Sequence, residues 1–375
     1  MISVILALLA LAIWLYLILL RGFFWLARER DNEFAADPAP WPSIVAIVPA
    51  RNEAEVIARS MSSLAAQDYP GDFRILLVDD QSSDGTAEVA RSFGSSRLGV
   101  LSGGARPQGW TGKLWALAQG VEASGDADYL WFTDADIVHA PDDLRRLVAR
   151  AQRGKFVLVS LMARLNCESL SERMLIPAFV FFFAMLFPFA WVNRPGLATA
   201  AAAGGCMLVK RDAFERAGGL GSIRGEIIDD CALGRRMKGQ GPIWLGLTDR
   251  AVSVRPYPLF GDIRRMVTRS AYAQLRYSPL LLIGTLLGLF LTYGVPPLLA
   301  IFGSGYARLF AAIAWILMSV AFQPMLRFYR RSPLWGLALP VIAAFYGAWT
   351  LLSAVQSWSG RGGEWKGRYQ AARDA

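Results

Sequence analysis

The sequence predicts an α/β domain with apolar helices at both ends of the chain, and three observations carry this prediction. Short apolar runs alternate with amphipathic stretches, as in a sheet of buried strands that is covered by helices. Acidic residues follow directly after two of these runs. Long apolar segments occupy the start and the last third of the chain, and they account for an apolar fraction of 54% and a mean hydropathy of +0.34.

The alternation of strands and helices defines the order of elements. The strand candidates are short apolar runs between turns, at residues 44–48, 74–78, 97–101, 129–133, 156–160 and 206–209. The helix candidates carry apolar residues three or four positions apart or begin with a helix-start signal, at residues 53–67, 86–93, 113–124 and 142–153. Strands that are separated by helices predict a mostly parallel sheet.

The first 21 residues predict a membrane anchor. Residues 2–20 carry no charge and nearly reach the ~20 residues that span a bilayer. Arginines follow at once, without a convincing cleavage site, which predicts an uncleaved helix with its N-terminus outside and the next domain in the cytoplasm. Residues 22–40, first charged and then proline-rich, form the predicted linker.

A C-terminal membrane region is predicted over residues 280–354, with segments at 280–303, 307–326 and 333–354. The basic turn 327–331 belongs in the cytoplasm by the positive-inside rule. Counting the segments then places the basic tail, residues 355–375, outside, against the same rule. Two interpretations stay open: the tail charges do not determine topology, or one segment is re-entrant or interfacial.

Three acidic pairs stand where a ligand would bind. Asp79 and Asp80 end one strand candidate, Asp134 and Asp136 end another, and Asp229-Asp230 precedes a helix-like stretch. Ligands of open α/β sheets gather beyond the carboxyl ends of the strands. A nucleotide diphosphate with Mg²⁺ or Mn²⁺ requires such carboxylates. Taken alone, Asp134 and Asp136 fit an ordinary strand-to-loop turn equally well.

The motifs in their order resemble a known family. They are Pro-Ala-Arg-Asn-Glu at 49–53, Val-Asp-Asp-Gln-Ser-Ser-Asp-Gly-Thr at 78–86, Asp-Ala-Asp at 134–136, Gly-Gly at 204–205 and Asp-Asp at 229–230. Residues 41–275 thereby resemble the family 2 glycosyltransferases, whose GT-A fold is a Rossmann-like mixed sheet. The stretches 109–113 and 269–277 and the hydrophobic segments most resemble the hopene-associated membrane glycosyltransferases of bacterial hopanoid biosynthesis.

The resemblance implies a binding site for a nucleotide-diphosphate sugar. It assigns the donor to Pro49, Glu53, Asp79, Asp80, Lys113, Asp134 and Arg269, and it assigns Mg²⁺ or Mn²⁺ to Asp136 and Asp134. Capping of the following helix is the alternative role for Glu53. Arg269 stands where many family members carry Gln-x-x-Arg-Trp, but the Gln and the Trp are missing. The departure favours a single transfer over processive polymer synthesis.

The resemblance also assigns the chemistry. Asp230 is the expected base, with Asp229 as its neighbour, because a nearby like charge and burial raise the basicity of a carboxylate. The alternative, an N-cap for a helix at 231–238, is compatible with this role. The acceptor is expected beside Gly204, Gly205 and Cys206. A single displacement by this base implies inversion at the anomeric carbon.

A fifth apolar stretch, at residues 175–192, lies between the second and third acidic pairs. A full crossing would place Asp134 and Asp230 on opposite sides of the membrane, where no single site can use both. Two prolines and many aromatic residues predict an interfacial helix or a shallow hairpin that guides a lipid. A buried core helix remains the alternative.

The remaining composition excludes other classes. The net charge of +9 reflects Lys and Arg spread along the chain and at membrane edges, and no nucleic-acid motif accompanies it. The cysteines Cys167, Cys206 and Cys231 lack metal-ligand spacing and are interpreted as packing residues in a reduced compartment. The single histidine, His139, is interpreted as a structural loop residue, so a histidine-based nucleophile is not supported.

These observations predict a multi-pass glycosyltransferase of the hexosyltransferase type in the cell inner membrane, with its catalytic domain in the cytoplasm. Its expected partners are a nucleotide-sugar donor, a lipid acceptor related to hopanoids, and the membrane, with no nucleic acid. The alternatives are a polyprenyl-phosphate glycosyltransferase, a polysaccharide synthase, or a non-catalytic membrane scaffold.

Overall fold

A computed structural model describes residues 1–32, 37, 38 and 40–367 of the chain. The chain forms two compact units. The catalytic unit comprises Glu29–Asn166 and Trp191–Arg255, and the membrane unit comprises Met1–Arg28, Cys167–Ala190 and the described chain from Pro256 onwards. The catalytic unit is therefore assembled from two stretches of sequence; the sequence predicts a domain over residues 41–275 with an interfacial segment at 175–192.

The strands all belong to the catalytic unit. They are β1 (Ile44–Ala50), β2 (Phe73–Asp79), β3 (Leu98–Ser102), β4 (Tyr129–Thr133), β5 (Ile137–His139), β6 (Leu158–Arg164), β7 (Cys206–Lys210) and β8 (Ile243–Ser253). The six predicted strands are confirmed. Strands β5 and β8 have no counterpart in the prediction.

The helices, in chain order, are α1 (Ile2–Leu19), α2 (Ala54–Ala65), α3 (Thr86–Arg91), α4 (Gly112–Ala123), α5 (Asp143–Gly154), α6 (Leu170–Leu186), α7 (Phe189–Val192), α8 (Arg211–Arg216), α9 (Asp229–Lys238), α10 (Phe260–Thr268), α11 (Ala271–Gln274), α12 (Pro279–Leu289), α13 (Val295–Phe302), α14 (Gly305–Phe328) and α15 (Leu339–Trp358). Short 3₁₀ turns lie at Phe24–Leu26, Leu220–Ile223 and Pro333–Gly336. A π-helix, Phe290–Gly294, joins α12 to α13.

One mixed sheet of eight strands organises the catalytic unit, in the order β3-β2-β1-β4-β7-β6-β8-β5. The four strands from β3 to β4 are parallel, β7 is antiparallel to both of its neighbours, and β5 is antiparallel to β8. The register places Asp79 beside Ala50 and Thr133 beside Cys206. The C-terminal ends of β1, β2 and β4 therefore lie side by side with the N-terminal end of β7. The acidic motifs follow the strands on this side of the sheet.

Burial explains why these segments are strands. Every residue of β1 and β4 is buried, as expected for central strands that are covered on both faces. Helix α2 places Val56, Ile57, Met61 and Leu64 against the sheet at helical spacing. The catalytic unit therefore has a continuous core on which the strand-end loops are held.

Part of the predicted linker is hydrogen-bonded to the sheet. In the catalytic unit, the Asp31 N–H donates to the Leu247 carbonyl at 2.9 Å and the Leu247 N–H donates to the Glu29 carbonyl at 2.8 Å. Residues 29–31 thus add a short pairing to β8. Asp31 is buried beside Arg146 and Arg150.

The described residues contain five segments that are long and apolar enough to cross a membrane: Ile2–Leu19, Leu170–Val192, Pro279–Phe302, Gly305–Phe328 and Leu339–Trp358. Polar contacts fix several of these helices. The Trp14 indole N–H donates to the Thr292 carbonyl at 2.9 Å, in the π-helix, and the Tyr346 hydroxyl donates to the Leu175 carbonyl of α6 at 2.9 Å. The predicted apolar stretch 175–192 therefore contains most of α6, which packs within the membrane unit, and the short helix α7. The tail residues Arg368 and Arg373 lie outside the described residues.

Candidate active site

The loops after β1 and β2 are joined by hydrogen bonds. The Asn52 N–H donates to the Ser82 hydroxyl at 2.9 Å, and the Ser83 N–H donates to the Asn52 side-chain oxygen at 2.9 Å. Asn52 and Gln81 both have positive φ, near +51° and +56°, which turns the chain sharply at each strand end. The first two motifs of the sequence therefore form one structural element.

The carboxylates at the end of β2 are buried beside this element. Asp79 accepts a hydrogen bond from the Ser82 N–H at 3.3 Å through Oδ2, while its Oδ1 is buried without a hydrogen-bond partner among the described residues. The Asp80 carboxylate lies 3.8 Å from the Arg51 guanidinium. Pro49 lies in β1, directly beside Val78 of β2. An unsatisfied acceptor at a strand end calls for a donor group, since buried polar atoms are nearly always paired.

Lys113 is the central cation of the site. It belongs to the first turn of α4, whose N-cap Thr111 accepts a hydrogen bond from the Leu114 N–H. The Lys113 ammonium lies 2.8 Å from Asp134 and 3.4 Å from Asp229. Burial lowers the pKa of Lys113, but the carboxylates around it raise that pKa well above its ordinary value overall. Lys113 is therefore a firmly charged cation that unites the second and third acidic motifs.

Asp230 has the environment of a proton acceptor. Its carboxylate accepts hydrogen bonds from the Gly204 N–H at 2.9 Å and from the Cys231 N–H at 2.7 Å. Burial and the repulsion of Asp229 raise the pKa of Asp230 to about 6, although Lys113 and the two N–H groups act in the opposite direction. The acid pair also stands in the first turn of α9, so the helix-start role is present as well.

Asp136 lies in a second charged group that the sequence does not reveal. Its Oδ2 accepts a hydrogen bond from the Arg255 Nε at 3.1 Å and another from the Ser253 hydroxyl at 3.1 Å. The Arg255 guanidinium also pairs with Glu53, at the start of α2. Arg255 thereby joins the end of β8 to two of the predicted donor and metal residues. The sequence contains no motif that indicates this contact, because Glu53 and Arg255 are 202 positions apart.

The Asp-Ala-Asp carboxylates fit a divalent cation. Carboxylate oxygens are the ligands that Mg²⁺ and Mn²⁺ prefer. The basic side chains contact Oδ1 of Asp134 and Oδ2 of Asp136, so the other oxygen of each carboxylate remains for a cation. Burial raises the pKa of Asp134, Lys113 lowers it and the charge of Asp136 raises it, so this pair gains from an added positive charge. Asp134 and Asp136 are thus the residues that would hold the metal.

The glycine loop before β7 lies against these charges. A Cβ on Gly204 would stand 3.2 Å from the Lys113 ammonium and 3.4 Å from the Asp230 carboxylate, so only glycine leaves the backbone in ordinary contact there. Cys206, in contrast, is fully buried, and its sulfur accepts a hydrogen bond from the Trp131 indole N–H at 3.4 Å. The expectation that Cys206 faces an acceptor is corrected: it points into the core because β7 begins there.

The other sequence predictions are placed as follows. His139 lies in strand β5 and is buried, instead of standing in a loop. The three cysteines are free and buried, in agreement with a packing role. Ligand atoms of His139, Asp143 and Cys206 lie within 4.8 Å of one another, so this group could be considered as a metal site. Burial raises the pKa of the Cys206 thiol well above its ordinary value, which disfavours the thiolate that binds a metal.

The predicted donor residue Arg269 directly follows α10, in the membrane unit.

Comparison with known proteins agrees with this geometry. A family model described as "Glycosyl transferase family 2" matches residues 45–218, just under half of the chain. The beta-monoglucosyldiacylglycerol synthase of Synechocystis sp. is 35% identical over 116 residues, which are 30% of this chain and 24% of that protein. The 4,4'-diaponeurosporenoate glycosyltransferase of Staphylococcus aureus is 35% identical over 101 residues, or 27% of this chain and 26% of that protein. The chain spans about a quarter of the length of these curated relatives.

A solved structure shows the same fold. The mannosyltransferase PcManGT from Pyrobaculum calidifontis, in complex with GDP-Man and Mn²⁺, superposes with a TM-score of 0.57 and 21% identity, over 94% of this chain and 98% of that one. The predicted GT-A fold is confirmed. Fold and family match together define the class: residues 45–218 belong to a glycosyltransferase domain with the GT-A fold. The matches support its assignment to glycosyl transferase family 2.

Proposed function

We propose that the protein transfers one hexosyl residue from a nucleotide-diphosphate sugar to a lipid, with inversion, at the cytoplasmic face of a membrane. One observation carries the proposal. The Lys113 ammonium bridges Asp134, at the end of β4, and Asp229, at the start of α9, with Asp230 adjacent. A strand-end acid motif, a fixed cation and a carboxylate with a raised pKa are the groups that this reaction needs.

The donor nucleotide is bound by the joined loops after β1 and β2. Asp79 offers a buried acceptor oxygen for a ribose hydroxyl or a base N–H, and Asp80 and Glu53 lie in the same group of loops. Pro49 is the last residue but one of the neighbouring strand β1 and lies beside Val78 of β2. Charge-assisted hydrogen bonds of this kind give orientation as well as affinity.

The leaving group is a nucleoside diphosphate, so the site must balance the charge that develops on it. Lys113 supplies one fixed positive charge, and Asp136 with Asp134 would hold Mg²⁺ or Mn²⁺. A bound cation supplies Lewis acidity toward the diphosphate oxygens. Preorganised charges are the largest contribution to this type of catalysis because they need no rearrangement during the reaction.

Asp230 removes the proton of the acceptor. The acceptor hydroxyl oxygen bonds to the anomeric carbon, its proton passes to the Asp230 carboxylate, and the bond from that carbon to the diphosphate breaks. The Gly204 and Cys231 N–H groups hold the carboxylate in place. A pKa of about 6 leaves Asp230 ionised at neutral pH and more basic than an ordinary aspartate. One displacement gives the inverted product.

The membrane helices support a lipid acceptor. Because Asp134 and Asp229 contact the same ammonium, the chain before and after α6 lies on one side of the membrane. A single crossing by α6 is incompatible with this, so Leu170–Val192 enters and leaves on the same side. We propose that this segment guides the lipid and that the protein is a multi-pass protein of the cell inner membrane. Arg269 stays a predicted donor residue.

A hopanoid is the proposed acceptor class, and the resemblance at residues 109–113 and 269–277 supports it. The test uses the purified full-length chain in lipid nanodiscs with Mn²⁺ or Mg²⁺. Labelled UDP- and GDP-sugars are combined with a hopanoid or with polyprenyl phosphate. Hopanoid glycosylation is the expected result. Transfer to polyprenyl phosphate alone would keep the chemistry and overturn the acceptor.

The catalytic assignment is tested by Asp230→Asn in the same assay. We expect transfer to be lost while donor binding is retained, because the substitution keeps the hydrogen bonds of the side chain but removes the base. Asp212→Asn is the matched control: Asp212 lies half-exposed on α8 and should leave transfer unchanged. A protein that binds neither donor nor metal would favour the scaffold interpretation.

A further inference from the structure

The single histidine of the chain, His139, has no part in the reaction proposed above, yet its ring is fully buried next to the site. It lies in β5, three residues after Asp136, and its ring stacks edge-on against Trp131 of β4 with centroids 4.5 Å apart. A buried ring with two polar nitrogens must have both of them paired.

Both nitrogens are paired. The Nδ1 atom lies 2.7 Å from the Asp143 carboxylate of α5, and the Nε2 atom lies 2.8 Å from the hydroxyl of Thr133. That hydroxyl is also 3.0 Å from the Gly205 carbonyl oxygen. Four groups therefore form a continuous line, from α5 through β5 and the end of β4 to the glycine loop.

The number of available hydrogens determines which group donates and which accepts in each of these hydrogen bonds. A carbonyl oxygen only accepts, so the single hydroxyl hydrogen of Thr133 is donated to Gly205. The contact between Thr133 and Nε2 then requires an N–H on Nε2. At Nδ1 the Asp143 carboxyl group faces the ring, so one hydrogen is shared between Nδ1 and this carboxyl group. Whichever of the two groups holds that hydrogen, Nε2 carries an N–H.

The end of the line is the loop that holds the proposed base. The Gly205 carbonyl belongs to the same turn as the Gly204 N–H, which donates to Asp230 at 2.9 Å. The other side of this turn is fixed by Ser160, whose hydroxyl accepts from the Ala203 N–H at 2.8 Å. Thr133 and Ser160 thus hold the turn from two sides. Thr133 is also the residue directly before Asp134.

We propose that His139 is a positioning residue: its Nε2–H turns the Thr133 hydroxyl toward Gly205 and so fixes the glycine loop against Asp230. The proposal rests on the proposed function, in which Asp230 is the base. A neutral ring protonated only at Nδ1 would accept the Thr133 hydrogen and release the Gly205 carbonyl. The protonation of one buried nitrogen therefore decides whether the loop is held.

Two carboxyl groups and one thiol lie around the ring. Asp143 contacts Nδ1 directly, and Asp31 lies near Asp143; burial first, and then the charge of Asp143, raise the pKa of Asp31. From β7, Cys206 faces the cluster with a protonated thiol. Ser63 of α2 accepts a hydrogen bond from the His139 backbone N–H at 3.1 Å. The second Asp143 oxygen, Oδ1, is buried without a hydrogen-bond partner among the described residues.

The first test is a spectroscopic one on the resting protein. The chain is labelled with ¹⁵N-histidine, without a histidine tag, so that one residue gives the whole signal. Long-range ¹H–¹⁵N correlation at neutral pH separates imidazolium from the two neutral tautomers. We expect a hydrogen on Nε2, in the imidazolium or in the neutral Nε2–H tautomer. A neutral ring with hydrogen on Nδ1 alone overturns the proposal.

The second test is kinetic and uses the isosteric variant Thr133→Val together with Thr133→Ser, which keeps the hydroxyl group. Loss of the hydroxyl in Thr133→Val should lower kcat about tenfold, the size expected when one hydrogen bond of the loop is lost, with KM for the donor unchanged. Thr133→Ser should restore kcat. In the spectrum, Thr133→Val should convert His139 to the neutral Nδ1–H form, because Nε2–H loses its acceptor.

A control separates positioning from general stability. Ser63→Ala removes a hydrogen bond to the His139 backbone but leaves the ring contacts intact, so its kcat should equal that of the wild type even if its Tm falls. Equal kcat values for Thr133→Val and the wild type would overturn the proposal. Because the spectrum needs no substrate, a failure to find the acceptor does not obscure the result for His139.

Discussion

The Lys113 ammonium and the Asp134 carboxylate, 2.8 Å apart, join the first turn of α4 to the end of β4. The same ammonium lies 3.4 Å from Asp229, at the start of α9. One lysine thus contacts both Asp134 and Asp229, which are 95 positions apart in the sequence. This cation balances the carboxylates of the site before any substrate arrives.

Replacing Lys113 by methionine should lower kcat by about 10²-fold, because a preorganised charge at the leaving group is lost. Three acidic side chains would also lose their shared partner, so the Tm should fall. Lys113→Arg keeps the charge with a different shape and should recover part of both losses. Steady-state kinetics and thermal denaturation measure the two effects. A wild-type kcat in Lys113→Met would remove Lys113 from the mechanism.

The parallel half of the sheet and its helices could be predicted because each element has a recognisable pattern of apolar residues in its own sequence. The runs at β1 and β4 are buried on both faces, so their sequences are almost continuously apolar, and β2 is apolar from Ile75 to Val78. Strand β5 has only three residues, and β8 contains a glycine, an aspartate and an arginine, so neither shows a clear pattern. Their positions depend on pairing with each other.

Residues of the site could be predicted only where they belong to a recognisable sequence motif. The acids of the second and third motifs follow a strand or start a helix, and the resemblance fixes their order. Arg255 could not be found in this way, because an arginine after a strand has many possible partners and its two acids lie on distant elements. The role of Cys206 was misjudged since its direction depends on which face of β7 is the core.

The pH dependence of the rate should follow Asp230. A base acts only when it is ionised, and the pKa of Asp230 is raised to about 6, so kcat should be level near pH 7.5 and fall about tenfold per pH unit well below pH 6. The measurement is a kcat profile from pH 5 to 8. A rate that stays level to pH 5 would argue against Asp230 as the base.

The same raised pKa has a consequence for stability. Since Asp230 binds a proton more tightly in the folded state than its ordinary value of 3.8 implies, its ionisation destabilises the fold at pH values above about 6. Asp230→Asn removes this ionisation. Its Tm should exceed that of the wild type at pH 7.5, and the difference should shrink as the pH falls through 6 toward 4. A constant difference would contradict the raised pKa.

Arg255 should compete with a metal ion for Asp136. Its guanidinium contacts Asp136 at 3.1 Å and also pairs with Glu53, so removing it leaves two carboxylates without this counter-charge. Arg255→Met should therefore bind free Mn²⁺ several-fold more tightly, with a lower Tm in the absence of metal. Calorimetric titration of the protein alone measures the affinity.

Two results bear on the Asp136 assignment. Arg255→Lys retains a charge and should bind Mn²⁺ with an affinity between those of Arg255→Met and the wild type. If Arg255→Met and the wild type bind Mn²⁺ equally, Asp136 is not a ligand of the metal. In that case, adding Asp136→Asn to the Arg255→Met variant should leave the Mn²⁺ affinity unchanged. If Asp136 is a ligand, the same substitution should weaken Mn²⁺ binding.

The last prediction concerns the backbone of the glycine loop. A methyl group at position 204 would stand 3.2 Å from the Lys113 ammonium and 3.4 Å from the Asp230 carboxylate. The ammonium is the end of a flexible side chain, so Gly204→Ala should fold normally but push Lys113 away from Asp134. We expect kcat to fall about tenfold, since small displacements of charged groups are costly at a preorganised site. Gly221→Ala is the matched control because nothing lies within 4 Å of its added methyl group. Equal kcat values for the two variants would show that the loop tolerates side chains and that the close approach of Gly204 has no catalytic purpose.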